Sequence, residues 1–186
     1  MFGSGRGAEM KRRNKKLRVL YEILDWSKTI VTALAIAFLI NSTLIANAQV
    51  PTGSMEETIM PGSRILINRL AYASEKPQRG DIISFYYPDD GQTVYLKRII
   101  GLPGDIVEGH DGIVYINGQA LKENYVKEEL AADFGPFAVP ENSYFVMGDN
   151  RNNSWDSRYW NHHYVTEDEI IGRAEFEYFP EIKRLN

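Results

Sequence analysis

Ser54 and Lys97 are the side chains of this 186-residue chain whose surroundings suggest a reaction. A serine hydroxyl is a weak nucleophile and needs a neighbouring base. A lysine can be that base only when its amine is neutral near the working pH, and burial favours this because desolvation penalises the ammonium form. Lys97 lies in an apolar and aromatic run, with Tyr95 and Ile99 on its own face of a predicted strand, so its amine could be buried. The pair indicates nucleophilic acyl-transfer chemistry.

Each residue also has an ordinary interpretation. A lysine on a strand usually faces solvent, and a serine in a turn before a β-domain is usually only a turn residue. Other chemistries are easier to exclude. The chain has no cysteine, which rules out thiol catalysis, disulfides and thiolate metal sites. His110, His162 and His163 lack metal-ligand spacing with suitable carboxylates, so we predict no metal and no cofactor.

An uncharged segment precedes Ser54 and predicts a membrane address. No charged side chain occurs between Thr29 and Met55, and the twenty residues 29–48 would span roughly 30 Å as a helix, the thickness of a bilayer core. Residues 1–28 carry eight Lys or Arg and three acids, whereas the rest of the chain carries 13 basic and 22 acidic residues. This bias predicts a cytoplasmic basic tail at 1–28, a transmembrane anchor at 29–48 and an extracytoplasmic domain at 49–186. The acidic domain argues against nucleic-acid binding.

Two other interpretations of the uncharged segment stay open. Residues 30–40 have the length of a signal-peptide core, and Ala46-Asn47-Ala48 has the small-x-small pattern of a cleavage site, although the basic region before it is unusually long. A buried core helix is the third interpretation, against which stand the uncharged length and the charged flank. The long basic region favours the retained anchor over the cleaved signal peptide.

The domain after the segment shows the pattern of short strands. Runs rich in Ile, Val, Tyr and Phe are bounded by Gly, Pro, Asp and Asn, and they predict strands at 64–70, 81–87, 93–100, 113–117, 119–121, 144–147 and 173–179. Asn117-Gly118 is typical of a type I′ hairpin turn. Thr166 and the acids after it resemble a short helix start. We therefore predict a mainly β domain of 138 residues, an antiparallel barrel or sandwich.

Three segments of the chain together resemble the bacterial type I signal (leader) peptidases. Residues 51–55 read PTGSM and look like the nucleophile box of that family, residues 95–105 read YLKRIIGLPGD and look like its lysine box, and residues 148–158 read GDNRNNSWDSR and look like its C-terminal box. They occur in the family's order after a membrane anchor, and the similarity covers about residues 26–179. The two longer boxes are specific, whereas the first is weak alone.

The resemblance implies a role for each matching residue. Ser54 would attack the scissile carbonyl, with Lys97 as its base and as the activator of the deacylating water. The Ser54 N–H and the Thr52 hydroxyl would form the oxyanion hole, and Ser154 would orient the lysine amine. Charged residues would brace the site through ion pairs, and these are Arg98, Asp149, Asp156 and Arg158.

The resemblance also implies a substrate and a location. The enzyme would remove signal peptides from exported preproteins after Ala-x-Ala-like sites, with the lipid bilayer and the secretion translocon as further partners. Shallow pockets for small side chains would be lined by Val50, Met55, Ile59, Tyr95 and Leu96. The chain departs from the family at Glu57, where many members have proline, which puts local loop rigidity in doubt but removes no catalytic group.

Alternatives to this function remain at the level of sequence. A Ser-Lys protease of the repressor-cleaving type resembles the fold but acts on itself in the cytosol, and the uncharged segment weighs against it. A non-catalytic binding protein on the same scaffold would not need Ser54, Lys97 and Ser154 together. The cluster Trp155, Tyr159 and Trp160 predicts either contact with the membrane interface or burial in the core.

Overall fold

The N-terminal part of the chain is one helix. The computed structural model describes residues 5–185, and within the helix Gly5–Thr43 it describes the side chains of residues 18, 21–38 and 43. The basic residues predicted to face the cytoplasm before Arg18 therefore lie outside the described side chains. Within the helical residues that the structure describes, no stretch combines the length and hydropathy required to cross a bilayer.

The end of this helix differs from the predicted segment 29–48. The helix ends at Thr43, and Ile45–Gln49 forms strand β1. Ala46 and Ala48 pack against the hydrophobic core, whereas Asn47 accepts a hydrogen bond from the Tyr178 hydroxyl at 2.8 Å. The small-x-small pattern is thus the two-residue alternation of a strand with one buried face. The chain divides into the units Met1–Thr43 and Leu44–Asn186, so the boundary lies five residues before the predicted one.

The second unit consists of short strands. After β1 they are β2 (Arg64–Asn68), β3 (Ile82–Tyr86), β4 (Val94–Gly101), β5 (Ile106–His110), β6 (Ile113–Ile116), β7 (Gln119–Ala120), β8 (Phe134–Ala138), β9 (Ser143–Met147), β10 (Val165–Thr166), β11 (Ile170–Phe179) and β12 (Lys183–Arg184). Arg151–Asn153 and Glu167–Glu169 are single 3-10 turns, and the second has a capping box between Thr166 and Glu169. The seven predicted strands are all present, and their bounds differ from the predicted ones by at most three residues.

Two antiparallel sheets hold these strands. The larger sheet has the order β1-β2-β11-β3-β4-β9-β10, with β12 beside β11, and the smaller has the order β7-β6-β5-β8. The mainly antiparallel β class is confirmed, but the path through the larger sheet is open over residues 44–185, so the predicted barrel is not closed. The last long strand, β11, lies between β2 and β3 and joins the two halves of the larger sheet.

Three hydrophobic clusters pack between and against the sheets. The first contains Met55, Ile59 and Ile65. The second contains Val107 of the smaller sheet and Phe145 of the larger sheet, and the third contains Phe85 and Trp160. The first and third lie on either side of β4, since Leu96 packs against one and Tyr95 against the other. Strand β4 is therefore covered on both faces, and its polar residues Lys97 and Arg98 are buried as a result.

Candidate active site

The structure brings the predicted nucleophile and base into contact. Ser54 lies in the turn between β1 and β2, and Lys97 lies in β4, where it pairs with Ile83 of β3. The Lys97 Nζ donates a hydrogen bond to the Ser54 Oγ at 2.6 Å. At this distance a proton can pass directly between the two groups when the amine is neutral.

Burial prepares the lysine amine for this role. Lys97 is 5% exposed and Ser54 is 9% exposed. Desolvation lowers the pKa of Lys97 to about 8, the nearby Asp156 and Asp149 oppose this shift, and Arg158 adds to it. The aromatic ring of Tyr95, on the same face of β4, lies 5.5 Å from Nζ. A substantial share of the amine is therefore neutral in mildly alkaline solution.

The turn that carries Ser54 is held by the segment that follows β9. The Asn150 N–H donates to the Ser54 carbonyl at 3.1 Å, and the Asn150 side chain donates to the Gly53 carbonyl at 3.0 Å. Gly148 lies so close to Ser54 and Ser154 that a Cβ there would overlap both. Thr52 places its Oγ1 3.5 Å from the Ser54 Oγ. Neither Gly148 nor Asn150 has a residue type or spacing that predicts these contacts.

Ser154 lies beside the dyad without bonding to it. Its Oγ is buried and has no hydrogen-bond partner among the described residues. It lines the same groove as Ser54 and Lys97. Its predicted role as the group that orients the lysine amine therefore remains a prediction based on resemblance.

Two buried ion pairs brace the site at the predicted residues. Arg98 forms a two-point contact with Asp149, at 2.8 and 2.7 Å, and also donates to the Gly80 carbonyl at 2.7 Å. Asp149 accepts a further bond of 2.5 Å from Thr58, which follows the nucleophile turn. This first pair therefore links β4, the Ser54 turn and the segment after β9, which carry Lys97, Ser54 and the residues that hold the turn.

The second pair closes the C-terminal segment on itself. Arg158 contacts Asp156 at 2.8 and 2.9 Å and donates to the Arg151 carbonyl at 2.6 Å. Asp156 also accepts from the Gly148 N–H at 3.0 Å. The pair thus fixes the glycine against which the Ser54 turn packs.

A third buried ion pair joins Arg151 to Glu123 and is not predicted by the sequence. Arg151 bonds to Glu123 at 2.6 and 2.5 Å, and Glu123 also accepts from the Tyr125 hydroxyl at 2.7 Å. The Tyr125 ring stacks on the Arg98 guanidinium at 3.9 Å, which connects this pair to the first one. Residues 121–133 show no strand periodicity, so only Arg151 could have indicated a buried acidic partner.

A groove of about 690 Å³ runs past the dyad. Of the residues predicted to line substrate pockets, Val50, Met55, Tyr95 and Leu96 lie along it. Ile59 does not line the groove and lies in the first hydrophobic cluster. Residues 94–97 of β4 pair with β3 on one side, and pairing with β9 begins only at Arg98, so one edge of these residues faces the groove.

The aromatic cluster after Ser154 divides between surface and core. Trp155 is 55% exposed, and its ring stacks on that of Tyr159 at 5.6 Å. Trp160 is buried in the third hydrophobic cluster and contacts Phe85. The core alternative therefore applies to Trp160. The neighbouring His162 and His163 bond to different partners, the Asp89 carboxylate and the Ser157 carbonyl, both at 2.7 Å.

Comparison with known families and proteins places this arrangement among peptidases. Residues 23–179 match the sequence model of the family described as "Signal peptidase, peptidase S26". The chain is 40% identical over 162 residues to the "Probable signal peptidase I-2" of Synechocystis sp., which covers 84% of this chain and 73% of that protein. It is 37% identical over 177 residues to the "Signal peptidase I P" of Bacillus subtilis subsp. natto, covering 90% and 95%.

A solved structure is also similar in sequence. The crystal structure of a signal peptidase I from Enterococcus faecalis V583 is 42% identical to this chain. The match covers 53% of this chain and 97% of that one, with a TM-score of 0.46.

Proposed function

Since the chain belongs to the signal peptidase family, peptidase S26, we propose that Ser54 and Lys97 form the dyad with which it works. The protein is a serine endopeptidase that removes signal peptides from preproteins. The observation that carries the proposed dyad is the 2.6 Å contact between a buried lysine amine and a serine hydroxyl. A structural lysine gains nothing from such burial, because desolvating a charged amine costs free energy that a hydroxyl alone does not return.

Acylation follows from this contact. The neutral Lys97 amine takes the Ser54 proton as Oγ attacks the scissile carbonyl, so that a tetrahedral intermediate forms with negative charge on the former carbonyl oxygen. The Ser54 N–H and the Thr52 hydroxyl donate to that oxygen. The Lys97 ammonium then returns its proton to the departing amine, which leaves an ester on Ser54.

Deacylation repeats the sequence with water. Lys97 is neutral again after the amine has left, and it removes a proton from a water molecule that attacks the ester carbonyl. Collapse of the second tetrahedral intermediate returns the proton to Ser54 and releases the carboxyl end of the signal peptide. One amine thus serves as base and acid in both halves of the reaction.

The groove supports binding of the substrate as an extended strand. The open edge of residues 94–97 offers backbone groups to a peptide, which would add to β4 as a further strand. Val50 and Leu96 line the groove, and such apolar walls favour apolar side chains of the substrate near the cleavage site. These features support cleavage after Ala-x-Ala-like sequences.

The N-terminal part supports a membrane location for the enzyme. We expect the uncharged segment 29–48, which is helical as far as Thr43, to anchor it with the N-terminus in the cytoplasm and the catalytic unit outside, near the translocon that delivers preproteins. The support is the uncharged sequence with Lys and Arg concentrated before it, together with the exposed Trp155 and Tyr159. Extraction of membranes with alkaline carbonate should leave the full chain in the pellet, and its release would contradict the anchor.

Processing of a preprotein by the purified full chain in detergent tests the function. We expect a single cut after an Ala-x-Ala site, located by N-terminal sequencing of the product. The matched control is a preprotein with a bulky residue in place of the last alanine, which should remain uncut. Cutting of the control at the same rate would contradict the proposed pockets, and no cutting of either would contradict the function.

The pH dependence should follow the lysine. Because the neutral amine is the base and its pKa is about 8, we expect kcat/KM to rise about tenfold per pH unit below pH 8 and to level off above it. The measurement is cleavage of a fluorogenic signal-peptide substrate between pH 6 and pH 10. A flat profile would contradict lysine as the base.

The Thr52 hydroxyl should matter through its donor. We expect Thr52→Val, which keeps the shape, to lower kcat by roughly 10- to 100-fold with little change in KM, because the donor acts on charge that develops in the transition state. Thr52→Ser keeps the hydroxyl and should retain most of the activity. Equal losses in the two variants would indicate that the methyl group, not the hydroxyl, is needed.

A further inference from the structure

Asn150 bonds to the nucleophile turn at three points. Its backbone N–H donates to the Ser54 carbonyl at 3.1 Å, and its side-chain Nδ2 donates to the Gly53 carbonyl at 3.0 Å and to the Glu56 Oε2 at 3.2 Å. The Gly53 carbonyl also accepts from the Glu56 N–H at 3.2 Å. Asn150 thus contacts the peptide unit before Ser54 and the one after it, from a segment almost a hundred residues away in sequence.

The geometry of the peptide unit gives the first of these contacts a chemical meaning. The Gly53 C=O and the Ser54 N–H belong to one peptide unit, which is planar and trans, so they point in opposite directions. A group that fixes the Gly53 oxygen therefore fixes the direction of the Ser54 N–H. A hydrogen bond to the carbonyl also polarises the same amide and strengthens its N–H as a donor.

The Gly53 carbonyl accepts one hydrogen bond from outside the turn, from Asn150, and one from inside the turn, from the Glu56 N–H. The Glu56 N–H lies on the same turn as Gly53 and moves with it, so it cannot anchor the turn to the rest of the site. Asn150 stands on the segment that Asp149 and Arg151 fix through buried ion pairs. The Asn150 side chain therefore fixes the direction of the Ser54 N–H relative to this rigid segment.

From these contacts we infer that Asn150 is a positioning residue of the oxyanion hole, which aims the Ser54 N–H through the Gly53 carbonyl; this rests on the function proposed above. Asn150 does not touch the reacting atoms. Its contribution appears when charge develops on the carbonyl oxygen of the substrate, because a donor that is already aimed need not reorient at that moment.

The substitution Asn150→Asp isolates the side-chain donor. It keeps the size and the backbone N–H but cannot donate to the Gly53 carbonyl. In the full chain in detergent we expect kcat to fall by roughly 10- to 100-fold with KM changed less than about threefold, since the loss is confined to the transition state. The affinity for a peptide aldehyde ending in alanine, whose adduct with Ser54 carries an oxygen at the same place, should fall by a similar factor.

A double variant separates aiming from stability. The new carboxylate would also face the carboxylate of Glu56, and Glu56→Gln removes that repulsion. Asn150→Asp with Glu56→Gln should therefore recover the melting temperature but not kcat. Recovery of both would overturn the inference, because it would assign Asn150 a merely structural role.

Two further variants complete the test. Asn68→Asp is a matched control, since Asn68 also donates to a carboxylate, that of Glu175 at 3.0 Å, but lies away from the dyad; it should lower the melting temperature and leave kcat unchanged. Should Asn150→Asp not fold, Asn150→Ser removes the amide without adding charge and should show the same fall in kcat. Wild-type kcat and aldehyde affinity in a folded Asn150 variant would overturn the inference, whereas cleavage that survives Ser54→Ala would instead overturn the proposed function.

Discussion

Replacing Lys97 with methionine is expected to lower kcat by roughly 10³- to 10⁴-fold, because the reaction loses its general base while the side chain keeps a similar length. Ser54→Ala should lower the rate of cleavage to a similar residual level, since it removes the nucleophile. The two changes together should be no worse than either alone, because the residues act as one unit. The measurement is kcat for a signal-peptide substrate, followed long enough to detect slow turnover.

Two controls separate loss of the base from loss of the fold. Lys97→Arg keeps a positive charge but cannot be deprotonated in the working range, so it should be as inactive as the methionine variant. Lys97→Met should melt no lower than wild type, because it removes a polar group that is expensive to bury. Activity of either variant within tenfold of wild type would refute Lys97 as the base.

Asp149→Asn is expected to destabilise the protein by about 3–5 kcal/mol, because it leaves the Arg98 guanidinium buried beside a neutral amide. The two side chains of this ion pair are 1% and 0% exposed, so water cannot replace the lost carboxylate. The melting temperature should fall by roughly 10 °C for a unit of this size. Thermal unfolding followed by tryptophan fluorescence measures the change.

An exposed ion pair provides the matched control. Lys127 and Glu57 lie 2.7 Å apart with 63% and 61% of their side chains exposed, and Lys127→Met should leave the melting temperature almost unchanged. Glu57 of this pair is the residue at which the family resemblance implies a proline in many members. Equal losses at Asp149 and Lys127 would show that burial does not decide the worth of these pairs.

The strands that could be predicted are those whose sequence alternates or is continuously apolar. Strand β9, with five buried residues, and the Asn117-Gly118 hairpin, with positive φ at both residues, are examples. Strands β5 and β8 were missed because Glu, Gly and Pro interrupt their apolar pattern. Strand β1 was missed because its apolar residues extend the helical run, and only pairing with β2 decides its conformation.

The site could be predicted only as far as side-chain chemistry reveals it. Ser54 and Lys97 stand out because a serine with a lysine base has a known type of mechanism. The structure places the two side chains in hydrogen-bond contact. Asn150 and Gly148 act through backbone contacts, which leave no distinctive residue pattern. Glu123 lies in an irregular segment, and its partnership with Arg151 depends on a tertiary contact that no local spacing encodes.

The placement of β11 has a consequence for how the protease is made. The proposed nucleophile, Ser54, belongs to the half of the larger sheet that contains β1 and β2. The proposed base, Lys97, belongs to the half that contains β3 and β4, and residues 170–179 lie between the halves. During synthesis both halves leave the ribosome before strand β11, which lies between them. The larger sheet can therefore be completed only after residues 170–179 have been synthesised.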